Sequence, residues 1–518
     1  MNFKVRSLVA ATLAGSMLMG FGANAMADST DDILNALIAK GVLTEEEGAL
    51  LQKGRTGEKE AAAAKKDSAV SAKFKDGLSF ESGDGKFKAQ INGRVHADYR
   101  FFDHNDNANN PTVTGAGNSM GSASTAVTTG GVPDTFDIRR ARLGFKTSFK
   151  DYYEGEVVAD LSATSAKLDV ASLNVAWWKP VQFRFGKFKM PMNLEELTSS
   201  NNIDFMERSF VNQLAPGKET GAMMHGVPFT GVTYALAASN GVKDGAAEAE
   251  VREDGKDILG RVTVNFAEIM GNKDMVTHVG ASFSKGDTPE GTIGYAGATE
   301  AKGATFFRAP VLGNSAATAT GGTFSGIDRT RVGLEGAVAY GPFKLQSEWM
   351  QLNNQFTTQQ VVGGVARKYD LDTNNWYAQA LWTISGEAYA DNYKGGAFGA
   401  LKPKKDFNPT DFSGGLWEIG VRYSEFDASD YNADALDQGN TSAGVVDTKI
   451  TTKAAGFAKA DAWTIGLKFL PTANTKLMLN YVMTDFKDVI GGTTGGLVLN
   501  QARVNDEKAL IMRAQWMF

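Results

Sequence analysis

The chain has 518 residues, no cysteine, 58 glycines, only 12 prolines and a formal net charge of −6. Without thiols it has neither disulfides nor thiolate metal sites, and its mildly acidic balance gives no sign of nucleic-acid binding. Its mean hydropathy is slightly negative, and beyond the N-terminus no apolar run is long enough to cross a bilayer as a helix.

At the N-terminus Lys4 and Arg6 precede an apolar run from Leu8 to Gly22, followed by Ala23-Asn24-Ala25 and Ala25-Met26-Ala27. This pattern predicts a secretory signal peptide over residues 1–27, cut after Ala27 or after Ala25; as a membrane anchor the run is too short. Residues 28–70 read as a small helical extension on the periplasmic side. Ile33, Leu34, Leu37 and Ile38 recur at helical spacing up to Gly41, and Thr44-Glu45-Glu46-Glu47 forms a capping box for a second short helix through Leu51. A polar tether from Gly54 to Ser71 follows. The apolar stripe either pairs with neighbouring copies or belongs to a loosely ordered tail.

From Lys86 the period becomes two. Phe87, Ala89, Ile91, Gly93, Val95, Ala97, Tyr99 and Phe101 alternate with Lys86, Lys88, Gln90, Asn92, Arg94, His96, Asp98 and Arg100. A soluble strand averages about 5–6 residues, so a run this long with one greasy and one charged face is built to cross a membrane. The pattern recurs in about sixteen segments, starting near Lys86, Phe136, Tyr153, Lys167, Val181, Glu219, Phe229, Asp257, Asp274, Asp328, Phe343, Asn374, Gly414, Ala460, Asn474 and Lys508. Around Leu168–Trp178 both parities are apolar and the faces stay unassigned. Short turns (Lys150-Asp151, Lys179-Pro180, Pro228, Gly341-Pro342, Pro471-Thr472) alternate with long loops at 103–135, 187–218, 285–327, 352–373, 428–459 and 487–507. Segment 386–413 breaks the rule, being long where a short turn belongs. In the last strand Leu510, Met512, Ala514, Trp516 and Phe518 form the apolar row, and a terminal Phe518 resembles the signal read by the barrel assembly machinery. The fold class predicted over residues 71–518 is all-β, a transmembrane antiparallel barrel embedded in outer-membrane lipid.

A barrel of this size holds water, and charges on its inner wall select ions by sign. Lumen-parity candidates are Lys86, Lys88, Arg94 and Arg100 on the first strand and Arg140, Arg142 and Lys146 on the second, joined by Lys187, Lys189 and Arg208 near the third loop. That loop, Gly186 to Gly221, carries Leu194, Leu197, Ile203, Phe205, Met206 and Phe210, which argue for packing inward rather than an external flap. Arg139 falls on the lipid parity of a regular strand, so a bulge or the rim must explain it. Enzyme readings fare poorly: the four histidines are scattered, with no metal-ligand or triad spacing, and no cofactor is expected.

Several stretches jointly resemble the phosphate-selective porin O and P family of Gram-negative bacteria: Phe183–Gly221, Ile91-Asn92-Gly93-Arg94, Ala97-Asp98-Tyr99, Arg139-Arg140-Ala141-Arg142-Leu143, and the closing Arg513 to Phe518. The resemblance implies a 16-stranded barrel, a homotrimer and a third loop folded into the lumen as the constriction. By motif position Arg94, Arg139, Arg140, Arg208, Asp169 and Ser200 match the family's central anion site. Glu196 and Asn201 stand where the phosphate channels carry lysine, and the fifth outer loop keeps only Lys285, Lys302 and Arg308, without the family's ladder of arginines. The expected function is a water-filled outer-membrane pore for small solutes, anion-preferring. A structural or adhesive barrel, and a weakly selective porin, are the alternatives.

Overall fold

The computed structural model describes residues 34, 36–53, 70–74, 77–103, 126–129, 131–162, 166–241, 256–288, 296–312, 321–361, 366–431, 450–452, 454–490, 496–499 and 502–518. The expected signal peptide and nearly all of the tether lie outside these residues. In the N-terminal unit, residues 45–53 are helical. Thr44 Oγ1 accepts from the Glu47 amide at 3.2 Å, and the Thr44 amide donates to Glu47 Oε2 at 3.0 Å, a reciprocal capping box.

Sixteen antiparallel strands among the described residues close into a barrel. We number them β1 (Phe87–Phe102), β2 (Thr135–Phe149), β3 (Tyr153–Asp160), β4 (Lys167–Trp178), β5 (Val181–Lys189), β6 (Lys218–Phe229), β7 (Val232–Ser239), β8 (Asp257–Asn265), β9 (Met275–Thr288), β10 (Gly321–Tyr340), β11 (Phe343–Val361), β12 (Ala366–Thr383), β13 (Leu416–Asp427), β14 (Ala455–Thr472), β15 (Thr475–Val489) and β16 (Asp506–Met517). Each pairs with its sequence neighbour, and β16 returns to β1, with Met517 opposite Arg94 and Ala509 opposite Phe102. Phe518 completes the seam: its amide and carbonyl exchange hydrogen bonds with Gly93 at 3.1 and 2.8 Å. A Cβ at Gly93 would lie 2.4 Å from the Phe518 ring, so a larger residue there would have to push that ring aside.

The alternation explains the wall. Leu143 and Phe145, Phe183 and Phe185, and Ile465 and Leu467 point outward and are exposed, as a lipid-facing row must be. Aromatic belts mark the two membrane interfaces. Trp417 stacks on Phe469 at 4.2 Å near the short turns, and Tyr423 packs on Trp376 and Trp463 at 5.3 and 5.0 Å near the other edge.

Several boundaries differ from expectation: β10 starts at Gly321 rather than near Asp328 and β14 at Ala455 rather than Ala460, and two other departures are instructive. Segment 352–373 is not a long loop, since β11 runs to Val361 and β12 starts at Ala366. Past Met350 the polarity of the wall inverts: Leu352 and Phe356 are buried inside, while Asn353 and Gln355 face out and hydrogen-bond Asp370 and Asp372. A strand standing clear of the lipid no longer shows a greasy outer row. The turn expected at Pro228 falls at residues 230–231, because β6 extends through Phe229 and β7 begins at Val232.

Segment 386–413 does not extend away from the barrel as a simple turn. Its Tyr389 and Phe398 are buried with Leu381, Val276, Ala337 and Ala339 of the inner wall, and with Leu194. Tyr393 Oη meets His278 Nδ1 at 2.6 Å, and Arg261 Nη2 donates to the Gly396 carbonyl at 3.0 Å.

Candidate functional site

Two β-bulges shape the site. Opposite His96 and Ala97, β2 carries one extra residue, Arg139, so that both Arg139 and Arg140 turn inward and the outward row shifts from Ala141 to Ile138. Opposite Val158 and Ala159, β4 carries the extra residue Asp169, which is buried on the inner face beside Val170. This second bulge is why both parities of that strand look apolar in the sequence.

The segment joining β5 to β6 lies against inner-face side chains of the opposite wall. It contains two single-turn helices, α1 (Leu194–Leu197) and α2 (Val211–Leu214). Glu348 of β11 accepts the amides of Leu194 and Glu195 at 2.8 Å each, satisfying two of the donors that a helix start leaves open. Asn480 of β15 accepts the Met206 amide at 2.8 Å, Asn375 of β12 donates to the Phe210 carbonyl at 2.8 Å, and Lys344 of β11 pairs with Asp204 at 2.7 Å.

Glu207 is the central anchor. Arg139 binds it through Nε and Nη2 at 2.8 and 3.2 Å, Arg100 at 3.2 Å and Arg513 at 3.0 Å. Arg513 also forks onto Asp98 with two contacts of 2.7 Å. Burial opposes ionisation of Glu207, but Arg139, Arg513 and Arg140 hold its carboxyl well below the usual carboxylate range. Glu195, by contrast, is pushed up by burial against the pull of Arg422. The loop between β9 and β10 fills the adjoining space: its Glu300 takes Arg422 Nη2 at 2.5 Å and Thr464 Oγ1 at 3.0 Å, and the Ala298 backbone exchanges two hydrogen bonds with the Gln213 side chain.

What remains open is a cavity of about 650 Å³. Its wall comes from β1 to β8, the β5–β6 segment and Gly395, and it holds nine basic side chains against three carboxylates. Most of the cations are committed. Arg142 pairs with Asp160 and Asp169 at 2.7 and 2.9 Å, Lys218 with Asp169 at 2.5 Å, Lys146 with Glu156 at 3.3 Å, and Arg261 with Glu335. Arg208 donates to the carbonyls of Glu195, Glu196 and Thr198 and lies 3.5 Å from the Glu196 carboxylate. Lys189 donates to the Glu196 and Thr198 carbonyls, 3.8 Å from the same carboxylate. Among the described residues Arg94 donates only to Ser200 Oγ at 3.0 Å and Asn201 Oδ1 at 3.3 Å, and two groups are freer still. Arg140 is 7% exposed, and its Nε and Nη1 are buried without a partner; Arg184 Nε is likewise buried and unpartnered.

The expected site residues therefore separate. Arg94, Arg140, Asp169, Ser200, Lys189 and Arg208 come together at one cavity, along with Arg142 and Lys146. Arg139 and Arg100 turn inward but are consumed by Glu207, and neither lines the cavity. Lys187 shares the outward row of Phe183 and Phe185 and stays off the cavity, contrary to expectation, because β5 remains in regular alternation with β4 up to that point. Lys88 pairs with Asp151 in a short turn at 2.9 Å, on the rim. Arg184 was missed, although its place between Phe183 and Phe185 already put it on the inner parity.

The sequence over residues 121–518 matches the family described as phosphate-selective porin O and P. Porin O of Pseudomonas aeruginosa is 25% identical over 450 residues, covering 79% of this chain and 86% of the relative. Among solved structures, an anion-selective porin from Comamonas acidovorans is 12% identical over 84% of this chain and all of its own, with a TM-score of 0.45. The outer-membrane protein OmpT of Vibrio cholerae is 10% identical over 83% of this chain and 98% of its own, with a TM-score of 0.44. With a closed 16-stranded barrel and a family match over most of its length, the chain belongs to the phosphate-selective porin O and P family and is a porin of the Gram-negative outer membrane.

Proposed function

We propose that the pore prefers small anions and holds them briefly at Arg140. The observation that carries this reading is the unpartnered, buried face of the Arg140 guanidinium on a cavity whose other cations are nearly all spoken for. A guanidinium with open donors offers an oxyanion or carboxylate two directed hydrogen bonds as well as charge. Arg94 and Ser200 flank it as further polar groups, and low-dielectric walls focus the field of a few net charges along the neck. Asp169 acts as an orienter: it holds Arg142 and Lys218 in place rather than facing the ion. Glu196 beside Arg208 and Lys189 weakens the potential at the loop tip, which favours weak oxyanion binding over tight phosphate capture. We also read the assembly as a homotrimer, inserted by the barrel assembly machinery through the Phe518 row, with residues 28–70 as a periplasmic appendage that has no part in conduction.

The test is the reversal potential across a chloride gradient in a planar bilayer. Wild type is expected to prefer chloride over potassium, and Arg140→Ala to move the potential toward zero, more so at low salt, where screening is weak. A potassium-preferring wild type, or an Arg140→Ala pore indistinguishable from wild type, overturns the reading.

A further inference from the structure

Besides Arg140, one other cavity guanidinium, that of Arg184, has a buried donor without a partner among the described residues, and strand register places it far from the first. The row Lys146, Glu156, Ser172, Gly186 runs across β2, β3, β4 and β5. Arg140 lies six residues from that row toward the long loops, and Arg184 two residues from it toward the short turns. At about 3.4 Å per residue and about 4.8 Å per strand, their backbones are roughly 27 Å apart along the strands and roughly 14 Å across them. One small ion cannot touch both.

We propose that Arg184 forms a second anion station, on the periplasmic side of the one at Arg140, for a small oxyanion or carboxylate. This rests on the reading of the cavity as the conduction path. The surroundings of Arg184 are built for such a role. Its guanidinium leans over the Phe188 ring, 5.9 Å from the centroid, which positions it without consuming its donors. Asn174, opposite Arg184 in the β4–β5 register, is tied up with its neighbours: it donates to Glu154 Oε2 at 2.9 Å and Gln182 Oε1 at 3.0 Å and meets His225 Nε2 at 2.9 Å. These bonds hold Gln182 by its carbonyl oxygen, and Gln182 lines the cavity beside Arg184. Glu154 and Glu156 are the carboxylates whose charge is felt at Arg184, and neither forms an ion pair with it. They temper the site, so an ion binds loosely enough to leave. Two weak stations in series let an ion arriving at one displace the ion at the other.

Sidedness tests the proposal. Chloride current is measured in bilayers where protein is added from one side to fix the insertion direction, with inorganic phosphate then added to either chamber. In wild type, phosphate is expected to reduce current from both sides. Arg184→Gln is expected to raise the half-blocking concentration about tenfold from the periplasmic side, the loss of a charged donor pair, with little change from the outer side. Arg140→Ala should do the reverse, and Arg184→Lys should keep most of the periplasmic block. An Arg184→Gln pore that is blocked like wild type from the periplasmic side, or altered equally from both sides, overturns the second station. So does a wild type that phosphate blocks from neither side. Chloride preference is read separately from the reversal potential, so the Arg140 reading stands or falls apart from these results.

Discussion

Strands β1–β8 and β9–β16 both carry inner faces rich in charged and polar side chains, yet only the first eight border the cavity. Across the barrel, Lys344 closes on Asp204, Arg422 on Glu195 and Glu300, Lys468 on Glu418 and Arg513 on Asp98 and Glu207. Carboxylates from the inserted loops or from neighbouring strands neutralise that half and fasten the loops to it. In the open half Asp160, Asp169 and Glu156 perform a similar service for Arg142, Lys218 and Lys146, but among the described residues no carboxylate pairs with Arg140 or Arg184. The comparison teaches that a lumen charge is defined by its partner. An arginine closed on a carboxylate is scaffold, whereas the same arginine with open donors is a site.

The strongest challenge to that division is to remove the partition. Deleting residues 193–213 should open the filled half and raise single-channel conductance severalfold, with loss of ion preference; unchanged conductance would mean that the segment does not obstruct the lumen. Glu207→Gln comes next. It strands Arg139, Arg100 and Arg513 without their shared carboxylate, at a cost of about 3–5 kcal/mol for a broken buried pair. The expected result is a lower midpoint of heat-modifiable migration together with stronger anion preference, and an unaltered midpoint would remove Glu207 as the anchor. Glu196→Lys tests the open half directly. Taking a carboxylate away from Arg208 and Lys189 should increase chloride preference and let phosphate block the current more strongly, with no change in either counting against any influence of the loop tip. The smallest effect is expected from Lys344→Met in the filled half. That cation is closed on Asp204 and seated 4.4 Å from the Phe398 ring centroid, so the reversal potential should barely move. A shift as large as that of Arg140→Ala would show that ions pass on both sides.

The strand series was legible because a lipid-facing row must be apolar and a pleated strand puts every second residue on it. Starts read at Tyr153, Lys167, Val181, Asp257 and Phe343 coincide with the observed strands. Legibility failed where that constraint lapses. Above Met350 the outer row is polar because it leaves the lipid, and β11 and β12 were cut short there. At Arg139 and Asp169 a single inserted residue exchanges the faces, which pattern alone registers only as an exception. The cavity residues followed the same rule: Arg94, Arg140 and Arg142 could be read from parity, whereas Lys187 was placed by proximity to the loop and went astray.

By itself the sequence determined the fold class and the face on which most residues lie, since both follow from local alternation and from the solvent on each side of the wall. Only the tertiary structure decided which half of the lumen stays open and which cations keep free donors. Those outcomes depend on partners more than a hundred residues distant, such as Glu207 with Arg513 or Glu300 with Arg422. An ion pair is a property of distance in space, and no local pattern encodes whether a given guanidinium will find its carboxylate.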